Sequence, residues 1–127
     1  MITEDFVNES VASYLKEAGY DIVSQSLGNR RGPDIQATDT TSTLKIECKG
    51  ETRVKNQWNV AWENCARALF NLLKAIEKRE QNVIHGLAFP DTDNYRARMK
   101  NLDSFCARHF IPVFWVTGEG IVTEWNS

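Results

Sequence analysis

The fold turns on residues 30–50, RRGPDIQATDTTSTLKIECKG. Side chains alternate faces along a strand. In TLKIECK, Leu44, Ile46 and Cys48 make an apolar face, and Lys45, Glu47 and Lys49 a polar one. In DIQAT, Ile35 and Ala37 are apolar, whereas Asp34, Gln36 and Thr38 are polar. A slip of one residue would turn every side chain to the wrong face, so the two apolar faces set the register. Ile35 then opposes Ile46, Ala37 opposes Leu44, and Asp34 opposes Glu47. Residues 39–42, DTTS, are left as a four-residue hairpin loop, a common length. The pairing makes Asp34 and Glu47 cross-strand neighbours, with Cβ atoms about 5 Å apart.

Two facing carboxylates repel. Protonating one relieves the repulsion, and so does a divalent cation between them. Hard oxygen ligands suit Mg²⁺ or Mn²⁺, which keep positions open for water and phosphate. Lys49 lies on the same face, two residues beyond Glu47, within reach of an attacking water or a phosphate. Metal, carboxylates and lysine together are the parts for hydrolysing a phosphodiester.

Outward from the hairpin, the pattern predicts the order α-β-β-β-α-β-α-β-β. Thr3 caps a first helix with Val7, Val11, Tyr14, Leu15 and Ala18 on one face, and Gly19 stops it. YDIVSQSL follows as a strand, and GNRRGP is a loop. A long helix runs from about Asn59 to Arg79, its apolar stripe being Trp58, Trp62, Cys65, Leu69, Leu72, Leu73 and Ile76. VIHGLAF reads as a strand buried on both faces. A third helix, capped by Asp93, carries Tyr95, Met99, Leu102, Cys106 and His109 on one face. IPVFWVT and IVTEW are the last strands, joined by a GEG turn. This order suggests one mixed sheet with helices on both faces.

A chain of 127 residues is one domain, and 42% apolar with 25% charged residues is an ordinary globular balance. No apolar run approaches the ~18 residues of a membrane span. Three cysteines without C-x-x-C spacing and two distant histidines argue against a disulfide framework or structural zinc. The expectation is a reduced, cytoplasmic protein with no membrane partner. A net charge of -2 counts against a simple nucleic-acid coating protein. Local charge differs: Arg30, Arg31, Arg53 and Lys55 bracket the hairpin and are candidates for phosphate contacts.

Pro33-Asp34 and Glu47-Cys48-Lys49, set on a hairpin with a helix before and a long helix after, resemble the PD-(D/E)xK phosphodiesterase superfamily. Among its branches the Mrr-like restriction endonucleases and the archaeal Holliday-junction resolvases look closest, and the resemblance covers roughly the first 90 residues. It implies a restriction-endonuclease-like α/β fold and Mg²⁺-dependent (or Mn²⁺-dependent) cleavage of nucleic acid, with DNA as the partner. It assigns Asp34, Glu47 and the Cys48 backbone carbonyl to the metal, and Lys49 to the attacking water. It also implies a first-helix glutamate about eleven residues before the helix-ending glycine. Asn8 occupies that position here, Glu9 is adjacent, and Glu4 lies one turn earlier on nearly the same face. Where related branches place a glutamine on the following helix, this chain has Asn64. Since no separate specificity domain fits in the chain, the expectation is recognition of DNA shape, or targeting supplied by a second copy or another subunit.

The same residues admit blander readings. Lys45 and Gln36 extend the polar face, so a merely solvated strand face is one alternative. A nuclease-fold module that binds DNA or a partner without turnover is another, favoured by Asn8 and by a sequence pI near 5.7. His109 and the Trp58–Trp62 pair read as core residues. Cys48 points into the core on this pairing, which disfavours a nucleophilic role.

Overall fold

The computed structural model describes residues 1–28, 32–53 and 56–125. Helix α1 (Glu4–Glu17) starts where the Thr3 hydroxyl accepts the Phe6 N–H at 3.1 Å, and it ends at Gly19, whose φ of 98° suits glycine. Strands β1 (Asp21–Gln25), β2 (Ile35–Thr38) and β3 (Thr43–Cys48) form an antiparallel meander. Helix α2 (Gln57–Glu77) then crosses over to β4 (Val83–Pro90), which lies parallel to β3. Helices α3 (Asp93–Met99) and α4 (Asp103–Arg108) carry the chain to β5 (Val113–Val116), parallel to β4, and β6 (Val122–Trp125) closes the sheet antiparallel. The six strands lie in sequence order, giving the mixed sheet that the element pattern predicts.

Two cores sandwich the sheet. On one face, Val7, Val11 and Leu15 of α1 pack on Ile35, Ala37, Leu44, Ile46 and Cys48. On the other, Ala61, Cys65, Ala68 and Leu72 of α2 join Tyr95, Met99 and Cys106 over Leu87, Phe89, Val113 and Trp115. The three cysteines are free and buried. No helix among the described residues is long and apolar enough to cross a membrane.

Four expectations need correction. The third helix is two, because Asn101 takes a left-handed φ of 75°, which asparagine tolerates. Thr92, not Asp93, caps α3; its hydroxyl accepts the Tyr95 N–H, and Asp93 is a first-turn acid. His109 is exposed at the end of α4, against the Phe105 ring. Helix α2 is also turned from the predicted stripe. Small residues, Ala61 and Ala68, face the sheet and let the helix approach it, so Trp58, Trp62, Leu73 and Ile76 are left exposed.

Candidate functional site

The hairpin register is Ile35 to Ile46, Gln36 to Lys45 and Ala37 to Leu44. It turns Leu44, Ile46 and Cys48 into the α1 core and leaves Lys45, Glu47 and Lys49 half-buried on the α2 side. One step before β2, buried Asp34 uses Oδ2 to accept the Cys48 N–H at 2.7 Å. Lys49 Nζ lies 3.6 Å from Glu47 Oε1. The structure therefore brings Asp34, Glu47 and Lys49 together at one end of the hairpin.

The electrostatics of the pair follow from burial. Desolvation, and then the nearby Asp34 charge, push Glu47 up to about 7, against the pull of Lys49. Burial also raises Asp34, opposed by the Cys48 N–H and by Lys49. Interaction between the two carboxyls raises Glu47 and lowers Asp34, so it favours a proton on Glu47 over one on Asp34.

Helix α1 adds a third acid. The start of α1 lies directly on Gly50: a Cβ there would sit 2.0 Å from the Glu4 backbone nitrogen. The flanking chain is stitched to it, as Ile2 N–H donates to Glu51 Oε1 at 2.8 Å and Glu51 N–H to the Ile2 carbonyl at 2.7 Å. Glu4 is thereby held near the pair; burial, then Asp34, raises its carboxyl, and Lys49 opposes this. Of the three first-helix candidates, only Glu4 is oriented this way. Asn8 is buried and donates to the carbonyls of Ser26 and Asp34 at 3.1 and 3.0 Å while accepting from Gln25, so it braces the hairpin entry. Glu9 is exposed and lines a cleft with Phe6, Ser10 and Glu119.

Helix α2 supplies the opposite wall. Asn64 does not reach the carboxyls. Its amide donates to the Gly50 carbonyl at 3.2 Å and to Tyr95 Oη at 2.8 Å, and Tyr95 Oη donates to the same carbonyl at 2.6 Å. These bonds pin the backbone just after Lys49. Lys49 itself opens into a cleft with Ala66, Arg67, Phe70 and Asn71, and Glu47 into an adjoining one with Asn71, Leu72 and Lys78. Arg53 is exposed; Arg30, Arg31 and Lys55 lie outside the described residues. The sequence reading missed Gly50, Glu51, Tyr95, Arg67 and Phe70. Gly50, directly after the lysine, was the one local signal available.

The donor set fits a hard cation. Among the described residues, no group of three or more His, Cys, Asp or Glu side chains could by itself hold a metal. Mg²⁺ needs less, being held by one or two carboxylates with several waters. A further oxygen is at hand. Lys49 N–H turns toward β4, bonding the Ala88 carbonyl, so the alternating ladder turns Cys48's backbone groups toward Asp34. Continuing the register sets Pro33 opposite Cys48, and proline has no N–H to offer the Cys48 carbonyl.

No family model and no curated protein matches the chain. Solved structures do. An fdxN element excision controlling factor protein from Anabaena variabilis superposes with a TM-score of 0.65 at 18% identity, covering 97% of this chain and 99% of that one. An XisH family protein from Nostoc punctiforme gives a TM-score of 0.64 at 16% identity, covering 95% and 98%. The fold is restriction-endonuclease-like. At these identities the likeness concerns the fold and not the chemistry.

Proposed function

We propose that the chain is a metal-dependent nuclease that hydrolyses phosphodiester bonds, with DNA as substrate. One observation carries this reading: the hairpin register sets buried Asp34 beside half-buried Glu47, with the Lys49 ammonium 3.6 Å from Glu47, at the mouth of a cleft in a nuclease-like fold. A solvated strand face has no use for such burial. Asn8 had favoured a non-catalytic module, and Glu4 supplies from α1 the acid that position lacks. DNA is chosen because the Anabaena variabilis neighbour is named for excision of an element.

Asp34, Glu47 and the Cys48 carbonyl would hold Mg²⁺ or Mn²⁺, and binding would favour the ionised form of Glu47. The bound ion would stabilise charge developing on the phosphate and lower the pKa of a water. Asp34 is kept in place by the Cys48 N–H, so its carboxylate does not swing with solvent. Lys49 directs its ammonium to the water or the scissile phosphate, and its backbone is fixed by the Tyr95–Asn64–Gly50 bonds.

The test is a cleavage assay on supercoiled plasmid, linear duplex and four-way-junction DNA with Mg²⁺, Mn²⁺ or EDTA. Lys49→Ala and Asp34→Asn are run in parallel. Cutting that needs the metal and is lost in both variants is expected. Cutting that persists in EDTA or in either variant sinks the assignment.

A further inference from the structure

Three aromatic rings on α2 face solvent: Trp58 is 44% exposed, Trp62 56% and Phe70 63%. They lie on one i, i+4 row with Ala66 and Lys74, each step rising about 6 Å along the helix. The rings carry cations. The Arg98 guanidinium lies 3.4 Å from the centre of Trp58 and 5.4 Å from that of Trp62, and Lys74 Nζ lies 5.3 Å from that of Phe70. The row reaches the candidate site at one end, where Phe70 and Arg67 share a cleft with Lys49.

Exposed rings interleaved with cations are how single strands are held. Each base has a π-face to stack, and the backbone follows the positive charge. A duplex hides its base faces and cannot use them. A protein interface core is also rich in Trp, Phe and Arg but is depleted in lysine, whereas Lys74 lies against Phe70 here and Lys49 borders the same cleft. Exposed Leu73 and Ile76 lengthen the apolar strip; on α2 itself Arg67 and Lys74 match exposed Glu63 and Glu77, and Arg98 of α3, stacked on Trp58, adds a further cation beside the rings.

We propose that Trp58, Trp62 and Phe70, with Arg67, Lys74 and Arg98, form a track for an unpaired nucleic-acid strand leading to Lys49. The choice of nucleic acid as ligand rests on the nuclease reading. The track deepens that reading to a substrate with a single-stranded stretch beside the scissile phosphate.

The experiment measures binding in EDTA by fluorescence anisotropy. The probes are a labelled oligothymidylate of roughly 16 nucleotides, long enough to cover the row, and a duplex of equal length. Trp62→Ala and Phe70→Ala are each expected to weaken oligothymidylate binding roughly 5- to 100-fold, and Trp62→Ala, away from the Lys49 cleft, to leave duplex affinity unchanged. Trp62→Phe should recover most of the loss. The positions are exposed, so the variants fold, and light scattering should give every protein the same molar mass. Unchanged oligothymidylate affinity in the alanine variants, no binding by the wild type, or equal losses on both probes overturns the track. So does a drop from dimer to monomer in the variants, which would mean that a second copy covers the row. Metal-dependent cutting of DNA that ignores both rings refutes the track alone. Ring-dependent binding with no cutting refutes the nuclease and leaves the track standing.

Discussion

Replacing Glu47 by Gln should make the metal-free protein more stable at about pH 8 and leave it unchanged at about pH 4. Burial and Asp34 lift the folded-state Glu47 from 4.5 to about 7. A folded-state pKa above the unfolded one means that the folded chain holds the proton more tightly. The stability that this proton contributes is complete below about pH 4.5 and lost as pH rises to about 7. Above that, the wild type folds around a charge it would rather not carry. At about 1.4 kcal/mol per tenfold change in binding, the shift bounds the penalty near 3 kcal/mol. The Glu47 side chain is 31% exposed and its coupling to Asp34 can relax, which brings the expected gain to about 1–2 kcal/mol. Glutamine keeps the shape and removes the charge, so thermal unfolding by circular dichroism in EDTA should show a rise of roughly 3–8 °C at the alkaline end. Adding Mn²⁺ there should then stabilise the wild type more than the variant, because the ligand charge has gone. Equal stability of the two proteins at alkaline pH, or an equal gap at both pH values, would refute the picture of a strained carboxyl pair.

Two further substitutions probe how the site is held. Gly50→Ala places a methyl against the α1 backbone, where no rotamer can yield; it should destabilise the protein by more than about 3 kcal/mol, read from the urea midpoint. Tyr95→Phe removes the hydroxyl shared by Asn64 and the Gly50 carbonyl and should cost about 1–2 kcal/mol in the same assay. If Lys49 depends on that backbone anchor, the Tyr95 variant should also cut more slowly with little change in DNA affinity.

The hairpin was legible because its information is local. Period-two alternation in residues 34–38 and 43–48, with a loop of set length, admits one register, and that register alone brings Asp34 to Glu47. The ends of α1 were equally plain, since Thr3 and Gly19 act on their own turns. Which acid of α1 reaches the pair was not. Glu4 faces it because Gly50, 46 residues away, lets the helix start lie on the backbone after Lys49. Helical periodicity leaves Glu4 and Asn8 on nearly one face and cannot rank them.

The same distinction explains α2. Trp58, Trp62, Leu73 and Ile76 are large apolar residues, and hydropathy alone buries them. The sheet below accepts only a close approach, so Ala61, Cys65, Ala68 and Leu72 take the inner face and the large rings turn outward beside Arg98. Alternation along a strand is a property of neighbours in sequence, and it dictated the carboxyl pair. Which face of a helix is buried depends on the shape of the surface it meets, and that shape exists only once the chain has folded.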